Sequence, residues 1–413
     1  MVAVRARWYH GRKPFTIDLK FKKENNVRIT DVESIILQHD MEEELGFAQG
    51  YYNKRTAHLL KVHTDEGLVG IGEVFGAGGF AFANRAILEH VIKPLVIGRN
   101  PLDIGVIWHD VYNGLRDHGQ KGMPICCLSG LDIALWDILG KATSLPLYQL
   151  LGGMARERFV AYGYGMMFRK RADLPAVFEE EAARIVDMGF TAAKMKIGMG
   201  VQKDQELAAA ARRGAGDGFK LMADANHAYT VGEAIQLGRS LRDLGFYWFE
   251  EPVMPEDYDG YCAVRAAIPG IHVAGGEAEW TRFGHRELLC RRCVDILQPE
   301  VSATGGVSEF MRILSMSHAF GTPVVPHVWG SDVLIAVDMH LVSVIPDIPG
   351  GLHQFEPMLE YDTTPNLFHE HLLREPLDIR VQVKEHKGRV SPPQGPGIGI
   401  ELNEDFVRKY RVD

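Results

Sequence analysis

Cysteine, long apolar runs and excess basic charge are what this chain of 413 residues has least of, and each shortage removes a class of function. Its five cysteines include one isolated C-x-x-C, Cys290 and Cys293, with no second ligand pair at the spacing a structural zinc site needs. Cys126 and Cys127 are adjacent and Cys262 stands alone, so the set reads as reduced thiols of a cytoplasmic protein. No stretch approaches the roughly eighteen apolar residues of a membrane span. The net charge of −9 gives no basic field for nucleic acid. The expected partner is therefore a small molecule, with no nucleic acid and no membrane. A dinucleotide loop is missing too: Gly214-Ala215-Gly216-Asp217-Gly218 precedes a strand, where such a loop must follow one.

What is present suffices for two or three domains, with 46% hydrophobic and 24% charged residues. Residues 1–26 hold seven Lys or Arg but no continuous apolar core of a secretory signal, and they read as a basic N-terminal tail. A transit peptide fits less well, because Asp18, Glu24 and several aromatic residues interrupt it. Residues 27–152 read as an α+β capping domain. It opens with the strand-like runs Ser34-Ile35-Ile36-Leu37 and 57–64, the latter closed by the hairpin turn Asp65-Glu66-Gly67. Gly- and aromatic-rich loops near 47–52 and 75–82 suit a lid. Helices follow over 84–151, best seen at 129–140, where Ser129 is placed as the cap and Leu131, Leu135, Ile138 and Leu139 share a face. Asp132 and Asp137 in so apolar a helix read as structural.

From residue 153 the texture changes to short apolar strands alternating with helices: 159–164, 192–197, 219–223, 247–249, 272–274, 294–297 and 322–325. This alternation indicates a parallel barrel over 153–361, with 355–361 as the eighth strand. The polar, Pro- and Gly-rich segment 362–413 is expected to return to the first domain.

Nearly every strand ends in a group able to bind a cation or move a proton: Lys196, Asp224, Glu250, Glu277, Glu300 and His327. Their spacings of 28, 26, 27, 23 and 27 residues are close to the ~31 of one unit in a barrel of about 250 residues. The C-terminal ends of parallel strands converge on one mouth, so groups a whole unit apart become neighbours. Three carboxylates at Asp224, Glu250 and Glu277 would repel one another unless a cation neutralised them, and an all-oxygen set selects a hard ion such as Mg²⁺. The plain alternative, a ring of salt bridges, needs three basic partners, and the adjacent strand supplies one lysine pair. Lys194 and Lys196 stand two apart, so both point into the mouth. Two ammonium groups disfavour each other's charge, and Lys196 is expected to be partly neutral near pH 7, as a general base must be. His327 lies across the ring as a second acid or base, with Glu300 one unit earlier to fix its tautomer.

At these residues the chain resembles the enolase superfamily, mandelate racemase type, from about residue 27 over nearly its whole length. Lys194-Met195-Lys196 is similar to that family's K-x-K. Asp224-Ala225-Asn226, Phe249-Glu250-Glu251-Pro252 and Gly276-Glu277 are similar to its three metal-ligand motifs, and Pro326-His327 to its histidine base. The resemblance implies an α/β fold, a (β/α)7β TIM-like barrel with an α+β capping domain, forming a homo-oligomer. It implies Mg²⁺ on Asp224, Glu250 and Glu277, with Lys196 and His327 on opposite sides of the substrate's α-carbon. Asn226 and Trp329, within the aspartate and histidine motifs, are expected to touch substrate. Lys194 and a protonated Glu360 would stabilise the enediolate; Glu356 shares the strand face of Glu360 and is its rival. Glu251, next to Glu250, should point the other way and act at most indirectly. Glu300 departs from the family, which usually has aspartate there, and the extra methylene puts the imidazole's placement in question.

Three runs are similar to those of the subgroup's sugar-acid dehydratases and galactarolactone cycloisomerases: Tyr112-Asn113-Gly114-Leu115-Arg116-Asp117, Asp224-Ala225-Asn226-His227-Ala228-Tyr229-Thr230 and Pro326-His327-Val328-Trp329-Gly330. The implied activity is removal of the proton α to a carboxylate on an acid sugar or its lactone, followed by β-elimination. A racemase or epimerase of a 2-hydroxy acid needs the same base pair, and a catalytically silent sugar-acid binder would keep the same fold.

Overall fold

The computed structural model describes residues 27–348 and 355–412; the basic tail at 1–26 lies outside the described residues. Strands β1 (Ile29–Phe47), β2 (Gly50–Thr64) and β3 (Val69–Glu73) form an antiparallel sheet in that order. Both faces of this sheet are buried, which is why its sequence shows apolar runs in place of alternation. Ile35, Leu37, Leu59 and Ile71 join the core shared with the barrel, while Val32, Leu60 and Val62 pack with the cap's helices. The expected lid loop at 47–52 is instead the end of a hairpin: Phe47 pairs with Gly50, and only Ala48 and Gln49 lie between the strands. Glycine and aromatic residues there mark a tight turn at the tip of two long strands.

Of the cap's helices, α1 spans Ile104–Leu115 and α2 spans Met123–Thr143. Helix α2 starts six residues before Ser129, with Gly122 preceding it and Pro124 in its first turn, where a missing N–H costs nothing. Ser129 is therefore not a cap. Its hydroxyl donates to the Ile125 carbonyl and accepts from the Gly305 amide, joining cap to barrel. By length and composition α2 could cross a membrane, but 78% of its most apolar window is buried within the protein. Asp132 and Asp137 interrupt its apolar run in the sequence. Both are buried and bonded: Asp132 accepts from Ser308, and Asp137 from Ile71, Ile398 and Lys141. Strand β3 lies directly on α2; a Cβ on Gly70 or Gly72 would sit 2.1 Å from the carbonyl oxygens of Ala134 or Gly130, so only glycine permits this approach.

The barrel strands are β4 (Phe159–Tyr164), β5 (Ala192–Lys196), β6 (Lys220–Asp224), β7 (Trp248–Glu250), β8 (His272–Gly275), β9 (Ile296–Leu297) and β10 (Met358–Asp362), all parallel, with β10 beside β4. Between them run α3 (Leu174–Asp187), α4 (Val201–Ala215), α5 (Val231–Asp243), α6 (Tyr258–Ala267), α7 (Thr281–Arg291), α8 (Gly306–Ala319) and α9 (Asp332–Val344). The strand expected at 322–325 is reduced to isolated bridges, Val324 with Leu297 and His327 with Glu300. Pro323 and Pro326 have no N–H to extend a ladder there. A short strand β11 (Arg389–Val390) adds antiparallel to β4, and helix α10 (Glu404–Tyr410) leads to Arg411, which bridges Leu37 and pairs with Glu33 on β1.

The barrel interior is layered with the strand period of two. One layer is apolar: Ala192, Met222, Trp248, Ala274, Ile296 and Met358. Two residues further along the same strands stand Lys194, Asp224, Glu250, Gln298 and Glu360, and all five are buried. The site is this second layer and the mouth above it.

Candidate active site

Parallel pairing sets Lys196 opposite Asp224, and Asp224 opposite Glu250, in one register row across β5, β6 and β7. Glu277 joins them from the turn after β8, where Gly276 has φ 133 and leaves room for the chain to double back. Oxygen atoms of Asp224, Glu250 and Glu277 all lie within 4.8 Å of one another. Oxygen Oε2 of Glu277 is buried; it makes no hydrogen bond and lies 3.1 Å from His327 Nε2 as an ion-pair contact. This donor set fits a hard divalent cation. Three carboxylates so close, two of them fully buried, repel, oxygen is the donor such ions take, and one oxygen is left for a further partner.

Two lysines reach this row, Lys196 from within it and Lys194 from the row of Met222 and Trp248 below. Lys194 Nζ is 2.7 Å from Glu250 Oε1 and 2.7 Å from Glu360 Oε1, and 3.8 Å from Asp224 Oδ2; Lys196 Nζ contacts Asp224 Oδ2. Carboxylates thus stand between ammonium groups expected to discharge each other. Burial works against the Lys194 cation, but Glu250 and Glu360 outweigh it and hold its pKa well above the usual range. Burial raises Glu360, but Lys194, His327 and Lys196 together lower it more, so its pKa falls below the ordinary carboxylate value. In this arrangement Glu360 is the counter-ion of Lys194. Its rival Glu356 pairs with Arg389. Glu250 shows the opposite balance: burial, then the neighbouring carboxylates, raise it in spite of Lys194.

Glu250 also accepts from Trp248 Nε1 at 2.9 Å and from Gln298 Nε2 at 2.8 Å. Sequence reasoning missed both supports, although each stands two residues before a site residue, Glu250 and Glu300, on the same inward face. Glu251 does not point away. The strand ends at Glu250, Glu251 has φ 42, and its buried carboxyl is raised by burial and by the charges of Glu277 and Asp224. Its Oε2 lies 3.5 Å from His227 Nε2.

Across the mouth, His327 Nδ1 is 2.9 Å from Glu300 Oε2, and His327 Nε2 is 3.1 Å from Glu277 Oε2. The extra methylene of Glu300 therefore keeps the imidazole bond. The same carboxylate accepts from the Trp329 amide at 3.2 Å and from Ser302, which fixes it. Burial disfavours the imidazolium, but Glu277 and Glu300 overcome it and raise His327 to about 9.

The hairpin tip closes over this ring. Gln49 Nε2 donates to the Asn226 carbonyl at 2.8 Å, and the Phe47 ring lies 6.0 Å from Lys196 Nζ. Asn226 has φ 41; its amide bonds Asp224 at 2.9 Å and its side-chain Oδ1 is buried without a partner. Trp329 packs edge-on to Tyr52 and Tyr164 beneath the Arg55 guanidinium, making an aromatic wall beside the lysines.

Comparison with known proteins agrees over both parts of the chain. Residues 32–152 match the mandelate racemase / muconate lactonizing enzyme N-terminal domain, and residues 177–406 match the enolase C-terminal domain-like family. The chain is 40% identical over 386 residues to D-galactarolactone cycloisomerase of Agrobacterium fabrum (strain C58), covering 94% of this chain and 99% of the relative. It is 32% identical over 352 residues to arabinonate dehydratase of Saccharolobus solfataricus, covering 85% and 89%. Among solved structures, 3,6-anhydro-D-galactonate cycloisomerase from Zobellia galactanivorans aligns with TM-score 0.80 and 30% identity, covering 94% of this chain and 100% of that one.

Proposed function

The chain belongs to the mandelate racemase / muconate lactonizing enzyme group of the enolase superfamily, and from that premise we propose that it removes the proton α to the carboxylate of a sugar acid or its lactone and then expels a β-oxygen. The observation that carries this reading is the placement of two proton carriers at opposite ends of the carboxylate trio: Lys196 against Asp224, and His327 against Glu277. A substrate carboxylate drawn to that trio has its α-carbon between them.

Asp224, Glu250 and Glu277 would hold a hard divalent cation, Mg²⁺ by family, which would supply positive charge to the substrate carboxylate. Lys194, fully buried, adds a fixed charge on the same side, with Glu360 as its counter-ion. Stabilising charge as it develops supplies the larger share of the barrier reduction, on the order of ten kcal/mol. One of Lys196 and His327 accepts the α-proton; the other gives a proton to the departing β-hydroxyl or ring oxygen, so the bond electrons leave with that oxygen. Glu300 accepts from His327 Nδ1 and so presents Nε2 to the mouth. Asn226 and the Trp329 wall are substrate contacts in this reading, with the unpartnered Asn226 Oδ1 offered to a sugar hydroxyl.

The names of the relatives, a galactarolactone cycloisomerase and an arabinonate dehydratase, support a sugar acid or its lactone as substrate. The test is product analysis by ¹H NMR after incubation with Mg²⁺ and a panel of aldonic and aldaric acids and their lactones. A 3-deoxy-2-oxo acid identifies dehydration, the open-chain product of a lactone identifies cycloisomerisation, and an epimer without loss of oxygen moves the reading to racemisation. Ligand-dependent thermal shifts with no turnover of any compound would contradict the proposal in favour of a silent binder.

A further inference from the structure

At the barrel face opposite the mouth, an open cavity of about 670 Å³ lies where β8 and β9 begin, lined by Cys262, Arg265, His272, Arg291, Arg292 and Asp295. Cys262, on α6, is half-buried, and its sulfur lies 3.8 Å from that of the buried Cys293, which follows α7. We propose that Cys262 and Cys293 form a reversible intrachain disulfide, with Cys262 as the thiol that first meets a small anionic disulfide held in this arginine-lined cavity. Two sulfurs already in van der Waals contact have to close from 3.8 Å to the ~2.05 Å of a disulfide bond. Arg265 is paired with Asp295, and Arg291 lies 3.4 Å from Asp259 and 3.7 Å from Glu287, but Arg292 has no carboxylate partner among the described residues and is the charge an anionic reagent would meet.

With oxidised glutathione as the oxidant, the sulfur of Cys262, as thiolate, attacks the disulfide, forms a mixed disulfide and releases one glutathione thiolate. Cys293 then loses its proton and attacks the Cys262 sulfur; the Cys262–Cys293 bond forms and the second glutathione leaves as a thiolate that takes up a proton. Two protein thiols are oxidised by two electrons, and one small disulfide is reduced to two thiols. Burial, and then Cys262 itself, push the Cys293 thiol up to about 12, which leaves the half-buried Cys262 as the thiol that attacks first. The bond would tie α6 to the end of α7, on either side of β8, the strand that leads to Glu277.

The experiment titrates the full-length protein with defined ratios of oxidised to reduced glutathione, alkylates remaining thiols, and reads intact mass and a non-reducing peptide map. The expected result is paired loss of two alkylation sites with a Cys262–Cys293 cross-linked peptide, reversed by dithiothreitol and unchanged in Cys290→Ser. Cys293→Ser should trap glutathione on Cys262; if that buried substitution does not fold, Cys262→Ser, at a half-exposed position, should abolish the cross-link. A glutathione adduct that persists on wild-type Cys262 or resides only on Cys290 overturns the proposal, as does full alkylation of both thiols at every ratio.

Discussion

His327 has a carboxylate on each ring nitrogen, and that arrangement sets how its charge responds to pH. Its folded pKa, about 9, lies above the ordinary 6.5, so the charged ring stabilises the fold fully below about 6.5, and this is lost as pH rises through about 9. The contribution is on the order of 3 kcal/mol in metal-free protein. Urea unfolding of wild type and His327→Asn should therefore show a stability gap near pH 6 that closes near pH 10; a gap independent of pH would contradict the ion-pair account. Glu300→Gln keeps shape but removes one of the two charges, and an NMR titration should find the His327 pKa lowered. In the holoenzyme the same change should cost on the order of 10³-fold in kcat, because the ring loses its fixed tautomer.

At the scale of elements, Glu73 joins the end of β3 to the start of α9. It accepts from the Ser331 amide at 2.9 Å, the Ser331 hydroxyl at 2.6 Å and the Leu334 amide at 3.1 Å. Glu73→Ala strands these donors in a buried helix start and should destabilise the protein by about 2–4 kcal/mol, read as a lower urea midpoint. An unchanged midpoint would show that the contact between cap and barrel does not rest on it. Elements were legible where the strand period of two applied, as at Lys194 and Lys196. They were misread where another physical rule took over. Proline removed the ladder donors at 322–325, so a strand pattern became bridges. Gly and aromatic residues at 47–52 mimicked a loop but close a two-residue hairpin. Ser129 looked like a cap, yet the true start lies at Gly122 and Pro124, and the serine serves a contact distant in sequence.

For the whole molecule, the barrel was legible because its functional groups recur at unit spacing, and the cap because its hairpin turn and helices are local features. The charge balance at the centre was not, since it depends on which carboxylate each lysine reaches across strands. Glu360 as counter-ion to Lys194 is such a case. Glu251 is another, because a positive φ after the strand cancels the alternation rule. Asp224, Glu250 and Glu277 tie three successive units together, so a cation there should stabilise the fold as well as serve the reaction. Protein stripped with a chelator should lose activity and gain a few degrees in Tm when Mg²⁺ is restored, since saturation at about 100 times Kd adds ~2.7 kcal/mol. Glu277→Gln should blunt both responses, and a Tm shift of wild-type size in that variant would argue against this site.

The most direct test of the central claim is exchange of the substrate α-proton in D₂O with Mg²⁺, followed by ¹H NMR for wild type, Lys196→Ala and His327→Asn. The account predicts loss or exchange of that proton in wild type with a sugar acid or lactone, a decrease in exchange of roughly 10²–10⁴-fold in the variant that lacks the base, and a comparable decrease in β-elimination in both variants with the fold intact. Undiminished exchange in both variants would contradict the assignment of Lys196 and His327 as the groups that move the proton.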